Sequence, residues 1–343
     1  MSPSAQRPDV DFDFFVVQPN GARLAHHTEP ATVAEVLRFA DVRTGHRVLE
    51  IGTGSGYAAA VLGRTVGDQR EVHSLELSDA LAWRAGRLHA LAGVRNVRVL
   101  AADGRHGLME AAPYDRIISW VNPGSVPPGW VDQVAPGGAI TTPLRVAPLA
   151  TATALLRVLV TDDRSLAAPR LAQGIGFAEM AAEVVRDTRL PGRYVDAQQS
   201  VDGHPWWLSA AWVRDPKHDG RAAQLLRRLS EERHRARNPL EPEEDRHEFA
   251  TWLFARQPSG LSTAGLGQHG WGVACTRPDG IAVLCADRIL TAGSSDRPVE
   301  TLRDWVRQWR EAGRPGAAAL GCGLTRSERG WDVRLEVREP VAV

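Results

Sequence analysis

Between residues 30 and 121, apolar positions alternate between helical spacing and short continuous runs. Pro30 opens a segment in which Val33, Val36, Leu37 and Ala40 share one helical face. RVLEIG, ending at Gly52, is a short apolar run of strand type, and SGYAAAVLGRTV after it is a helix rich in Ala and Leu. EVHSLEL predicts a second strand and SDALAWRAGRLHALAG another helix, with NVRVLAAD and YDRIISWV as the third and fourth strands. Strands separated by helices imply crossover connections and a parallel sheet. Turn signals (Asp103-Gly104, Asn122-Pro123-Gly124) fall at the carboxyl ends of these strands, where such sheets bind ligands.

Beyond about residue 185 the pattern changes. Residues 186–215 are polar, with an aromatic cluster at Trp206, Trp207 and Trp212. GRAAQLLRRLSEERHRARN reads as one helix with Ala222, Leu225, Leu226 and Leu229 on one side, and HEFATWLFARQ as a shorter one. WGVACTR and GIAVLCADRIL read as two strands around the hairpin signal Arg277-Pro278-Asp279-Gly280, and VETLRDWVRQWREAG as an amphipathic helix ending at Gly313. GAAALGCGL and WDVRLEVRE close the chain as strands. The expectation is an α/β domain over 1–185, with its core at about 20–182, and an α+β extension with a small sheet over 186–343.

Composition narrows the function class. With 343 residues, 43% of them apolar, the chain can bury a sizeable core, and its 41 basic and 41 acidic residues give no basic bias toward nucleic acid. No apolar run reaches membrane-span length, and the N-terminus lacks the basic start and apolar stretch of a signal peptide. Three scattered cysteines (Cys275, Cys285, Cys322) suit neither a disulfide framework nor a zinc site. A cytoplasmic protein without membrane, nucleic-acid or metal partners is expected.

The candidate chemistry starts at the first strand end, where Gly52, Gly54 and Gly56 allow a sharp turn and a close ligand approach. A nicotinamide-type fingerprint would read G-x-G-x-x-G; this chain reads E-x-G-x-G-x-G, with Glu50 before the first glycine. Nineteen residues separate Gly56 from Glu76 at the end of the second strand, where an acid suits a ribose diol. NAD and S-adenosylmethionine both carry that diol, so Glu76 alone does not choose. A carboxylate beside the turn favours a cofactor with a cationic end and no pyrophosphate. Asp103, before Gly104, could accept a hydrogen bond from an adenine amino group.

These residues resemble class I S-adenosylmethionine-dependent methyltransferases, and more narrowly protein-L-isoaspartate O-methyltransferases. The resemblance rests on VLEIGTGSGYAAAVL, NVRVLAADGRHGLMEAAPYDRII and VPPGWVDQVAPGGAITTPL, and closes with GIGFAEM. It implies a Rossmann-like fold, S-adenosyl-L-methionine as cofactor with S-adenosyl-L-homocysteine as product, and cofactor contacts at Gly52, Gly54, Glu76, Asp103 and Gly104, beside Glu50 and Gly56. Relatives carry Ser-x-Pro before the first core helix, where this chain has Thr28 ahead of Pro30. Thr28 is therefore the candidate catalytic residue, orienting the acceptor carboxylate. Where relatives have small residues after the fourth strand, this chain has Ser119-Trp120-Val121. Ser119, Trp120 and His27, with His26 beside it, are candidate substrate contacts.

Some relatives with long C-terminal extensions methylate a normal Asp in a cyclised, ribosomally made precursor peptide, and the ester closes to an aspartimide (succinimide). The extension and the altered acceptor loop make that the leading expectation. Isoaspartate repair with an accessory domain is the alternative, a non-catalytic binding protein is a reading of another class, and a small-molecule methyltransferase has only the generic fold in its favour. Eight of the eleven tryptophans follow residue 200, either as a peptide-binding surface or as core, and the Arg-rich run 221–237 before Glu241–Asp245 is either a solvated face or a dock for an acidic segment.

Overall fold

The computed structural model describes residues 10–173, 178–180 and 190–337. The expected boundary near residue 185 and most of GIGFAEM lie outside the described residues. A short helix α1 (Phe12–Val16) precedes α2 (Pro30–Phe39), which has Pro30 in its first turn. Then β1 (Val48–Ile51), α3 (Tyr57–Val66), β2 (Val72–Glu76), α4 (Asp79–Leu91), β3 (Val97–Ala101) and β4 (Tyr114–Ser119) alternate as the periodicity predicts. Ser78 caps α4, its hydroxyl accepting from the Leu81 amide at 3.3 Å, and Asp79 in the first turn complements the helix dipole.

The chain continues through a two-residue strand β5 (Val121–Asn122), α5 (Pro128–Gln133), and the long strands β6 (Val134–Arg145), β7 (Thr153–Val160) and β8 (Leu166–Gln173). The first sheet runs β3-β2-β1-β4-β6-β7-β8; its first five strands are parallel, and β7 and β8 return antiparallel. β1 lies between β2 and β4, every residue of it buried. Its side chains alternate: Leu49 and Ile51 enter one apolar cluster and Val48 enters another under α2 and α3.

The two-residue β9 (Ala178–Glu179) pairs with β5, and the extension begins with β10 (Ala197–Val201) and β11 (His204–Ala210). There follow α6 (Arg221–Glu232), β12 (His234–Arg237), α7 (Arg246–Arg256), β13 (Leu261–Leu266), β14 (Trp271–Arg277), β15 (Gly280–Leu284), β16 (Arg288–Gly293), α8 (Arg297–Glu311), and the hairpin β17 (Gly321–Ser327)–β18 (Gly330–Glu336). Instead of a small sheet, the extension builds a seven-stranded antiparallel one, ordered β10-β11-β13-β14-β15-β16-β12.

Three expectations are corrected here. The helix expected over 220–238 ends at Glu232, because Arg233 turns left-handed (φ 45°) and His234–Arg237 pairs with β16. Glu232 fastens that end, accepting from the Gly293 amide at 2.8 Å and Arg228 Nε at 3.0 Å. GIAVLCADRIL divides into β15 and β16, paired with each other, and GAAALGCGL is strand only from Gly321.

The two halves share a core. One cluster joins Leu49, Trp130, Ile140 and Leu156 of the first half to Phe249, Trp252, Trp305 and Trp309 of the extension. The extension tryptophans are mostly core: Trp206, Trp207, Trp252, Trp305 and Trp309 are all buried. The closing hairpin also docks on the first half, Val126 and Trp331 exchanging backbone hydrogen bonds at 2.9 and 3.1 Å. Among the described residues no helix is long and apolar enough to cross a membrane.

Candidate functional site

One cavity of about 780 Å³ opens at the carboxyl ends of β1, β2 and β3. That is ample for a ligand pocket, and its walls come from both halves of the chain. On one side is the glycine loop after β1. Gly54 sits at φ +52°, and a Cβ there would stand 2.7 Å from the His26 carbonyl oxygen, so only glycine lets the N-terminal segment lie this close. Glu76 closes the loop from β2, accepting from the Gly54 amide at 2.9 Å and the Ser78 amide at 3.1 Å. Asp103, at the end of β3, accepts from the Arg105 amide at 3.0 Å and pairs with its guanidinium at 2.5 Å, which holds its carboxyl below the usual range. Gly104 lies flat on β1: a Cβ would stand 2.4 Å from Ile51 Cγ2.

Across the loop lies the segment before α2. α1 anchors it, Phe12 meeting the rings of Tyr57 at 5.0 Å and His27 at 5.8 Å. His27 donates to the Leu24 carbonyl and faces Glu29 at 3.2 Å, which fixes the backbone that presents Thr28 to the cavity.

The third wall was not foreseen. His204, Pro205 and Trp207 of β11, and Gly265, Leu266, Gly267, Gly270 and Trp271 around the β13–β14 turn, line the same cavity. They are held there by polar bonds to the turn joining β6 and β7. Thr263 Oγ1 donates to the Ala150 carbonyl at 2.7 Å, Ser209 Oγ accepts from the Ala150 amide at 3.0 Å, and Arg214 Nη1 donates to the Pro148 carbonyl at 2.6 Å. Glu179, another lining residue, is paired with Arg145 and accepts from Asn122 Nδ2 at 3.2 Å. The signals in sequence are the Trp206-Trp207 pair and the three glycines of Gly265–Gly270.

Of the residues singled out from sequence, Gly52, Gly54, Glu76, Asp103, Gly104, Thr28, His26, His27 and Trp120 line this cavity; Glu50, Gly56 and Ser119 do not. Glu50, expected beside the cofactor, is fully buried behind the wall on the face of β1 that Val48 occupies. Its carboxylate accepts from Ser74 Oγ and, at 2.8 Å, from Trp120 Nε1; Thr53 Oγ1 adjoins Ser74 in the same chain of hydroxyls. Burial pushes the Glu50 carboxyl up to about 7 despite those two donors, with the Glu76 charge adding to the rise. Trp120 is thus a wall residue fixed from behind. Gly56 is a packing position, a Cβ there meeting Ala85 Cβ at 2.9 Å. Ser119 is fully buried and bonded to its own turn, donating to the Val121 carbonyl at 2.7 Å, so it is not an acceptor contact here.

Residues 17–165 match the family model described as Protein-L-isoaspartate(D-aspartate) O-methyltransferase (PCMT), less than half of the chain. With the strand order, this match establishes the class I methyltransferase fold for the first half, with an antiparallel sheet added after it. Among relatives, a Protein-L-isoaspartate O-methyltransferase of Ignicoccus hospitalis is 43% identical over 120 residues, 35% of this chain and 56% of its own. Protein-L-isoaspartate O-methyltransferase 2 of Syntrophobacter fumaroxidans is 41% identical over 117 residues, 34% of this chain and 46% of its own. The chain thus spans about half the length of the curated relatives it matches. A solved protein-L-isoaspartate O-methyltransferase aligns over 95% of this chain and 92% of its own, at 20% identity and a TM-score of 0.46.

Proposed function

We propose that this chain is an S-adenosylmethionine-dependent carboxyl O-methyltransferase whose acceptor is an L-isoaspartyl carboxylate in a peptide or protein. The observation that carries the reading is one cavity lined at once by the glycine loop, Glu76, Asp103 and Thr28. The lining fits the cofactor: carboxylates stand at two successive strand ends and, among the described residues, no Arg or Lys lines the cavity, as suits a cationic cofactor without phosphates. Glu76 would take the ribose diol, Asp103 the adenine edge, and the backbone at Gly52–Gly54 the amino-acid end.

When bound, S-adenosylmethionine supplies an activated methyl group. The acceptor carboxylate is already ionised at neutral pH, so no general base is needed. The chain's task is to strip water from that carboxylate and hold it in line. Thr28 orients the acceptor by a hydroxyl hydrogen bond, and the buried Glu50–Trp120 pair keeps the wall beside Gly52 fixed. The extension excludes water from the far side and serves as the peptide-recognition domain.

That last feature favours a second reading, an Asp carboxylate in a cyclised ribosomal peptide, its ester closing to an aspartimide. Because the extension walls the cavity, the acceptor meets residues that the matched family segment does not contain. Calorimetric titration with S-adenosylhomocysteine tests the cofactor assignment; no heat of binding at millimolar ligand would sink it. Turnover of linear isoaspartyl peptides supports the first reading, whereas turnover of cyclised Asp peptides alone selects the second.

A further inference from the structure

We propose that the extension's end of the cavity is a subsite for an uncharged, apolar side chain flanking the acceptor carboxylate, with Trp271 its specificity-determining residue. This rests on the peptide-methylating reading above. The subsite is bounded by Trp207, Leu266, Trp271 and Pro205, which the extension contributes to the same cavity that Glu76 and Asp103 line.

Glycines make the room. A Cβ at Gly265 would stand 2.1 Å from Trp207 Nε1, and one at Gly267 2.7 Å from His204 Cβ, so the strand edge packs flat against β11. A side chain at Gly265 would drive Trp207 out of place, and one at Gly267 would displace His204.

The two tryptophans play different parts. Trp207 is 4% exposed and belongs to the packing. Trp271 is partly exposed and lines the cavity. Its backbone is pinned independently of its ring: Arg246 Nη1 donates to the Trp271 carbonyl at 3.2 Å, and Trp271 pairs in register with Gly265. The ring packs in part against the shared core and meets the His247 ring at 5.7 Å, and its remaining face offers an aromatic surface to a flanking side chain.

Charge sets the sign of the preference. Among the described residues the cavity is lined by Glu29, Glu76, Asp103 and Glu179 and by no Lys or Arg. Glu179 is paired with Arg145 and Asp103 with Arg105, but Glu76 is held by the Gly54 and Ser78 amides, so an anionic neighbour of the acceptor would enter against like charge. An apolar neighbour loses nothing and gains burial on Trp271 and Leu266.

The test is binding to the full chain saturated with S-adenosylhomocysteine, followed by calorimetry. The probes are capped pentapeptides with phenylalanine, alanine or glutamate on both sides of a central aspartate or isoaspartate. The expected order is phenylalanine, alanine, glutamate, with about tenfold between the extremes. Trp271→Ala should bring the phenylalanine and alanine peptides within about twofold while cofactor affinity holds, and Trp271→Phe should restore the order. No ranking in the wild type, or a ranking that survives Trp271→Ala, overturns the subsite. Ranked binding without methyl transfer to any of the peptides would leave the subsite standing and defeat the transferase reading instead.

Discussion

Glu50→Gln should make the protein more stable above neutral pH without dismantling the site. Glu50 is fully buried, and its carboxyl is pushed up to about 7 from an ordinary value of 4.5. Because the folded state keeps its proton longer, the unfolded chain binds fewer protons between those values, and stability falls as pH rises from about 4.5 to about 7. At 1.36 kcal/mol per unit, the loss reaches about 3 kcal/mol and then levels off. Gln cannot ionise, and the network can accept it. Its carbonyl takes the Trp120 Nε1–H, its amide donates to Ser74 Oγ, and the Ser74 and Thr53 hydroxyls reverse. Urea unfolding of wild type and variant at pH 5 and pH 8 measures the difference. Part of that loss is already present at pH 5, so the variant should gain about 2.5 kcal/mol at pH 8 relative to its offset at pH 5, with S-adenosylhomocysteine affinity little changed. Parallel pH profiles for the two proteins would refute both the buried charge and the placement of Glu50 behind the wall.

Gly54→Ala forces a left-handed residue against the His26 carbonyl; it should cost about 1–3 kcal/mol of stability and weaken S-adenosylhomocysteine binding about tenfold or more. Gly86→Ala is its control: a Cβ there meets nothing within 4 Å inside α4, so thermal unfolding should shift upward by the equivalent of about 0.5–1 kcal/mol. Glu76→Ala and Asp103→Ala should each weaken cofactor binding by titration, by about tenfold. Thr28→Ala should instead lower kcat with the cofactor affinity kept, and a silent substitution would remove Thr28 from the acceptor side.

Much of the first half was legible because each level of its sequence agrees with the others. The apolar runs of β1, β2 and β4 are buried as runs, the Ala- and Leu-rich α3 between β1 and β2 is buried on most sides, and the turn residues fall at strand ends. The second sheet was legible only in part. β13 (LSTAGL) is wholly buried yet made of small and hydroxyl residues, and β12 (HRAR) carries the cations of an exposed sheet edge, so neither shows apolar alternation. Glu50 was misplaced for a geometric reason: strand periodicity says that it lies opposite Leu49 and Ile51, but not which face meets the cavity. The wall formed by His204, Trp207 and Trp271 depends on contacts between distant segments that no local pattern records.

The most direct test of the account is intact-mass measurement of paired peptides incubated with the full chain and S-adenosylmethionine. One peptide carries an L-isoaspartyl residue, and the other is its ordinary aspartyl isomer. The account predicts that the isoaspartyl peptide gains one methyl group, removable by mild base as methanol. If both peptides stay unmodified under conditions where S-adenosylhomocysteine binds, and a cyclised Asp peptide does too, the central claim of carboxyl methyl transfer is contradicted.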